Sequence, residues 1–436
     1  MNYIHLFFMI SIVGGSTILV LKSRRVSDLK KIWFSFTAIG IIIYSGLTTL
    51  LKKWGGDEYF WNFILYYIAL VIGFLLCTKV RLKKSSKFSN YQRKNPLSFS
   101  ERYFSNRFLK VMVVLYYSYS IVQLIYPVNN LSNLFNIKLT GEGMLSIATE
   151  ARGNAIYQVF YYINMSTTIF YYIYIHRKLK SGKYINAILL IVLDTYLNIA
   201  IAQYISRSAA LVKLLFIMIV VVVNYRKTAL FKRVVKVMLR FSVILLISVP
   251  LLVAYTDYRL GVGLNFASFS SSIELLFEQE IGFGRHYDFC KENFSPLYMI
   301  NYFVWLITLP IPSAIATFKS NIIMMNTVLS EAVLGVGKGT NSYYILLPSL
   351  FGEAMLQFSR PFSWIHGFIL GLLLYVISTL MEKNRELDIA TIYFATSCLM
   401  MGRGGMASAI PAIINTLFFY VIVSFFYKTI IQQKRK

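Results

Sequence analysis

The sequence predicts an all-helical, polytopic integral membrane protein, and three observations predict it. Of 436 residues 57% are hydrophobic and only 14% charged, against roughly 25% charged in an ordinary soluble domain, so a water-soluble fold would not cover its own surface. Apolar runs of about 18 residues or more recur along the chain, each long enough to cross a hydrocarbon core of roughly 30 Å at about 1.5 Å per helical residue. The basic residues lie almost entirely between these runs. That placement disposes of the nucleic-acid partner that a net charge of +26 first suggests. Cys77, Cys290 and Cys398 are far apart in sequence and suggest neither a disulfide framework nor a metal cluster.

The first run, 3–21, has no basic residue ahead of it and no small-residue cleavage pattern behind it, and Lys22, Arg24 and Arg25 follow at once. It reads as a retained span and not as a signal peptide. Further spans are expected at 32–51, 61–78, 108–126, 156–175, 184–203, 205–223, 241–255, 362–381, 389–401 and 410–427. That makes about eleven, with 241–255 and 389–401 short. The organisation is then an amino-terminal bundle of eight helices over 1–255, a large external segment over 256–361, and three carboxyl-terminal helices over 362–436.

Alternation of the spans defines two sides, and the basic residues divide unequally between them. Segments 22–31, 79–107, 176–183, 224–240, 382–388 and 428–436 hold 30 of the 44 Lys and Arg, while the opposite side holds 12. The positive-inside rule puts the first set in the cytoplasm, the amino terminus outside and the carboxyl terminus inside. The outer side also carries twelve acids and is neutral, so the positive excess belongs to the inner face, where anionic lipid headgroups attract it.

The segment 256–361 breaks the rhythm of short loops, and loops of that length are usually functional. Within it, 272–281 sets Ile273, Leu276 and Phe277 on one helical face and Glu274 and Glu278 on another, which suits a helix lying along the membrane surface. The apolar run 302–317 is broken by Pro310 and Pro312. It reads either as a re-entrant helix or, paired with 343–356, as two extra spans that raise the count to thirteen.

Six arginines remain on the outer side: Arg152, Arg207, Arg259, Arg285, Arg360 and Arg403. Arginine retained there against the positive-inside bias calls for a reason. Its planar fork grips phosphate oxygens in pairs, and several forks around one cavity would hold a pyrophosphate. The plainer reading of each is an ion pair with an outer acid or a side chain reaching to the interface. Arg207 is the sharpest case, in a connection between two spans too short to wander. His286 and His366 are also outer, and either imidazole suits proton transfer near neutral pH, although an interfacial hydrogen bond is the simpler reading of His366. Glu353, where the long segment returns to the membrane, is placed to accept a proton or to orient an arginine. Asp194 and Lys213 fall inside consecutive spans and are expected to neutralise one another across the hairpin.

The glycine-rich stretch Gly335-Val-Gly-Lys-Gly-Thr lacks the spacing of a phosphate loop. No Asp-x-Asp occurs, so the metal-binding carboxylate pair of many sugar transferases is missing, and Asp57-Glu58 is a weak substitute. No metal-protease, serine-hydrolase or Cys-His signature is present either. No cofactor or metal is therefore expected.

The topology, together with Ser206-Arg207-Ser208, the Leu309-Pro-Ile-Pro stretch followed by Lys319, and the return segment from Pro348 through Gly352-Glu353 to Arg360 and then Gly367-Phe-Ile-Leu-Gly371, resembles the bacterial oligosaccharide repeat-unit polymerases of the Wzy type. Arg360 and Gly371 reproduce an Arg-x10-Gly spacing described in such polymerases, without a second copy at Arg207 or Arg259. The resemblance implies a GT-C-like membrane glycosyltransferase at the outer face of the bacterial cytoplasmic membrane. It would join undecaprenyl-pyrophosphate-linked oligosaccharides into O-antigen or capsular polymer without a metal, beside membrane lipid and a chain-length regulator. By that implication the six arginines stabilise the leaving pyrophosphate, and Glu353 and His286 are the candidates for a catalytic base. The alternatives are a lipid-linked oligosaccharide flippase and the related O-antigen ligase. A flippase would have more evenly spaced spans in two similar halves with short loops.

Overall fold

The structure, a computed structural model, describes residues 3–50, 56–82, 104–125, 131–135, 155–202, 213, 215–216, 286–309, 311, 317–337, 346–382 and 385–433. Among these residues every regular element is helical. In chain order the helices are α1 (Tyr3–Lys22), α2 (Asp28–Leu50), α3 (Gly56–Leu82), α4 (Asn106–Ile125), α5 (Ala155–Lys180), α6 (Tyr184–Ala202), α7 (Tyr287–Glu292), α8 (Pro296–Thr308), α9 (Met325–Leu334), α10 (Ser349–Phe358), α11 (Ser363–Glu382), α12 (Asp388–Ser397), α13 (Met401–Gly404) and α14 (Ile410–Gln433). Short π-helical stretches at Met9–Gly14 and Ile42–Gly46 interrupt α1 and α2.

Among the described residues seven helices are long and apolar enough to cross a membrane: α1, α2, α3, α4, α6, α11 and α14. α5 has 26 residues, about 39 Å of helix, and Asn164, Ser166, Thr167 and Thr168 make it less apolar than the others. The short span expected at 389–401 is built from α12, a 3-10 turn at Cys398–Met400 and α13. The expected span 241–255, most of 205–223 and the surface helix at 272–281 lie outside the described residues. α8 and α10 have 13 and 10 residues, about 20 and 15 Å, so neither helix crosses a 30 Å core on its own.

By contact the chain forms two units. The first takes residues 1–98, 274–383 and 394–411 and contains α1–α3, α7–α11 and α13. The described helices of the long external segment thus pack among the spans of this unit. Of its apolar spans α2 lies deepest, with Trp33, Phe34, Phe36 and Ile41 inaccessible. α1 instead turns Tyr3, Ile4, Phe7, Ile10, Ile18 and Leu19 outward, the apolar exterior that a lipid-facing helix needs.

The most extensive helix pairing in this unit is α3 against α11. In lipid, helices gain little from apolar burial and associate through close packing, which small residues permit. Gly367 and Gly371 form a Gly-x-x-x-Gly stripe on α11 whose Cα atoms lie against the Tyr66 and Leu70 carbonyl oxygens of α3, while Gly73 of α3 faces the Phe368 carbonyl oxygen. A Cβ at Gly367 would sit 2.5 Å from the Tyr66 oxygen, and one at Gly371 nearer still to that of Leu70. Gly371, half of the Arg-x10-Gly spacing, therefore has a packing reason of its own.

Long-range contacts of charged and titratable side chains in the first unit join residues that the charge count puts on one side. His5 Nδ1 is 3.4 Å from Asp57 Oδ1, and Lys30 Nζ is 3.0 Å from Glu382 Oε2. Glu382 also accepts from the Ser27 hydroxyl, and the Ser27 oxygen caps the start of α2 by accepting from the Lys30 amide.

The second unit takes residues 99–273, 384–393 and 412–436. α4 packs along α5 through the stacked rings of Tyr116 and Tyr171, 4.2 Å apart. Arg177 donates to Glu386 Oε1 at 2.7 Å and to the Phe104 carbonyl at 2.6 Å, again between segments of one expected side. The predicted Asp194–Lys213 ion pair is present. Asp194 Oδ1 also accepts from Tyr116 at 2.9 Å and from Asn198 at 3.2 Å. Removing one member of such a buried pair strands the other charge, at about 3–5 kcal/mol, whereas replacing both with apolar groups is often neutral. Asp194→Leu and Lys213→Leu should each lower the midpoint of thermal unfolding in detergent, and the double variant should recover most of the loss. Additive losses would show that the two charges are not coupled.

Candidate functional site

α10 is the hub of the first unit, because it touches α2, α7, α8, α9, α11 and α13 and all ten of its residues are buried. Serines in the left-handed region bracket it, Ser349 at φ 59° and Ser359 at φ 64°. Non-glycine residues held there cost about 1–3 kcal/mol and persist where the surroundings over-determine them. At the start of α10 the surroundings are a polar knot. Thr48 lies 3.0 Å from the Tyr287 hydroxyl, and Ser349 lies 3.4 Å from both Tyr287 and Ser45.

Glu353 sits in the middle of α10, 5% exposed. Its Oε2 accepts the Met406 amide at 2.6 Å, and Gln357, one turn on, donates to Oε1 at 3.5 Å. Burial pushes the carboxyl up to about 7, and the hydrogen bonds from Met406 and Gln357 oppose that rise. The other amide atom, Gln357 Oε1, is buried without a partner. Beside them opens a small cleft lined by Asn301, Tyr302, Trp305, Glu353, Gln357 and Gly404, with free space of about 20 Å³, room for about one water. Tyr302 is fully buried at its wall, with its hydroxyl 3.2 Å from Met406 Sδ.

His366, on the first turn of α11, is fully buried in a cage of Tyr66, Tyr302 and Phe358 rings. Its Nδ1 lies 3.3 Å from the Tyr66 hydroxyl, so the imidazole does make a hydrogen bond as its simpler reading had it, but inside the core and not at an interface.

Arg360 follows α10 by two residues and forms an ion pair with Glu58 at the start of α3. Lys291 of α7 reaches the same oxygen, Glu58 Oε1, at 2.8 Å. Two cations therefore share one carboxylate oxygen. Next to them Tyr59 donates to Asp288, and Asp57 faces His5. Of Asp57 and Glu58, considered above as a carboxylate pair, Glu58 is engaged by two cations and Asp57 faces His5, and among the described residues no group of three or more His, Cys, Asp or Glu is arranged to hold a metal ion.

No protein-family model, curated protein or solved structure matches the chain. The site therefore stands on its own geometry. Of the eight candidate residues the structure places four, Glu353, Arg360, Arg403 and His286, all in the first unit. Arg403 is half-buried on α13, directly before the turn that Glu353 grips, and His286 is half-buried just ahead of α7, beside the Tyr287 of the polar knot. Arg152, Arg207, Arg259 and Arg285 lie outside the described residues.

The sequence did not point to Gln357, Tyr302, Lys291, Glu58 as an arginine partner, or the Met406 amide. Gln357 alone carried a usable signal, since it is four residues from Glu353 and so on the same helical face. The others come from elements between about 50 and 300 residues away, a separation no local pattern reports.

Proposed function

We propose that this protein is a membrane glycosyltransferase that polymerises undecaprenyl-pyrophosphate-linked oligosaccharide repeat units into O-antigen or capsular polysaccharide. The observation that carries the reading is the cation pair on Glu58: Arg360 and Lys291 converge on a single carboxylate oxygen at the end of a span where the charge bias disfavours cations. The guanidinium also keeps donors beyond the one Glu58 engages, and these suit the oxygens of a pyrophosphate.

In the proposed reaction a hydroxyl of the incoming repeat attacks the anomeric carbon of the growing chain. The new carbon–oxygen bond forms as the bond to the lipid pyrophosphate breaks, and the hydroxyl proton passes to a base, for which His286 is the proposed group. The pyrophosphate leaves with the bonding electron pair. The negative charge gathering there is what Arg360, Arg403, Arg207, Arg285, Arg259 and Arg152 are proposed to stabilise, with no metal ion. Holding two large substrates in line spares the association entropy of the step.

The proposal includes a GT-C-like arrangement of about eleven spans, thirteen if the external segment contributes a pair, in the bacterial cytoplasmic membrane with the amino terminus outside and the carboxyl terminus inside. An impermeant thiol reagent applied to intact cells should label Asn293→Cys and spare Ser89→Cys; the reverse pattern would invert the assignment. The substrates are lipid-linked oligosaccharides, with membrane lipid and a chain-length regulator as partners. Protein purified into liposomes with a lipid-pyrophosphate-linked repeat unit should yield a ladder of multiples and release lipid pyrophosphate, with or without a chelator of divalent ions. A ladder that requires added metal would show that carboxylates outweigh arginine, and no ladder at all would remove the polymerase reading.

A further inference from the structure

The polymerase reading, on which this inference rests, left Glu353 beside His286 as a candidate base by resemblance, yet its surroundings suit a different task. A base needs an oxygen free to meet the proton it takes. Both oxygens of Glu353 face partners inside the protein, Met406 N–H on one and Gln357 on the other. The turn it grips is drawn tight against it. Gly405 has φ +73°, and a Cβ built there would collide with Glu353 Oε2. The other flank of the turn is fixed as closely, since Gly402 lies against the Gly40 carbonyl of α2 and Gly40 against that of Leu399. Between these two contacts stands Arg403, on a helix of only four residues, Met401–Gly404. That helix is one turn long, closed by the Gly405 amide on the Met401 carbonyl at 2.9 Å, and its direction follows the contacts it makes with α2 and α10.

We propose that Glu353 is a positioning residue, whose side-chain oxygen accepts the Met406 amide and thereby fixes the Gly404–Ala407 turn and the placement of Arg403, and that it takes no proton from the substrate. What this task needs is an acceptor oxygen at the right distance. A carboxylate, a carboxylic acid and an amide all supply one. Gln357 fits each of them: its nitrogen donates to a carboxylate, and its now unpartnered carbonyl oxygen accepts from an acid or from an amide. The Glu353–Gln357 pair is therefore matched to a neutral as well as to a charged side chain at position 353.

The test compares Glu353→Gln with Glu353→Ala by two readouts. The first is the polymer ladder, measured between pH 5.5 and 8.5. The second is the rate at which an impermeant maleimide labels Ser408→Cys, an exposed position on the turn, in a background without other cysteines. Glu353→Gln should stay within about twofold of the parent in both readouts, with a superimposable pH profile. Glu353→Ala strands a buried N–H and should lose about tenfold or more of polymer formation while its cysteine labels several-fold faster. Loss of polymer in Glu353→Gln at normal membrane level overturns the proposal and returns Glu353 to the role of base, whereas full activity in Glu353→Ala overturns it and removes the base role as well. The labelling comparison does not rely on the polymerase reading. If the parent protein makes no polymer, faster labelling of the alanine than of the glutamine variant still establishes the hold on the turn, and equal labelling refutes it.

Discussion

Arg207→Ala and Arg360→Ala should each abolish polymer while leaving the amount of protein in the membrane unchanged. For Arg360 the structure explains why the two effects separate. Its side chain is 30% exposed and its partner Glu58 is 45% exposed, so the ion pair contributes about 1 kcal/mol or less to stability. Removing the guanidinium also leaves Glu58 with Lys291 still beside it, and no charge is stranded. Stabilising a leaving pyrophosphate is a different matter, since loss of one preorganised donor from such a site costs about a hundredfold to a thousandfold in rate. Lysine at either position should rescue poorly because it restores the charge without the paired fork. Polymer length distributions on a gel, beside an immunoblot of the membrane fraction, check both halves. Parental chains in both alanine variants would take these arginines out of the site.

The second large effect falls on the fold. Gly371→Leu should remove folded protein from detergent extracts, with Gly367→Leu close behind. The four carbons added at Gly371 meet the main chain of α3 at Leu70 and Phe74, which cannot turn aside as a side chain would. Overpacking a core costs typically about 1–3 kcal/mol where neighbours can shift, and here the helices must part along their closest crossing. Val376→Leu, on the exposed face of the same helix, should behave as the parent does. Size-exclusion profiles of the three variants provide the measurement. A monodisperse, fully extracted Gly371→Leu protein would show that the crossing is not as close as described, and would give Gly371 back to function alone.

What could be read in the sequence and what could not divides along the range of the signal. Hydrophobic runs are local, and the spans of α1–α4, α6, α11 and α14 stand where the runs predict them. The Asp194–Lys213 pair was legible because two opposite charges, each too costly alone in lipid, fell on neighbouring spans. The Gly367–Gly371 stripe was visible as a motif, but its packing role required its partner α3. The candidate site was legible only as residue types. Glu353 was singled out as an acid where the chain returns to the membrane, but its hold on the Met406 amide depends on a contact across 53 residues. Arg360 was expected to reach phosphate or to pair with an outer acid, and its ion pair with Glu58 is of the second kind, although no local pattern says which acid it meets. The π-helical interruptions in α1 and α2 had no signature in apolar periodicity at all.

The central claim, that repeat units are joined on the outer side by this protein after they have crossed the membrane, is tested most directly by deleting its gene in a cell that retains a ligase and examining the glycan on the surface. The account predicts surface glycan capped at a single repeat unit, because assembly of the unit on its lipid carrier and its transfer across the membrane do not involve the arginines at the outer edge. Absence of even that single-unit form, with lipid-linked repeats accumulating on the cytoplasmic side, would contradict it and identify a transporter instead.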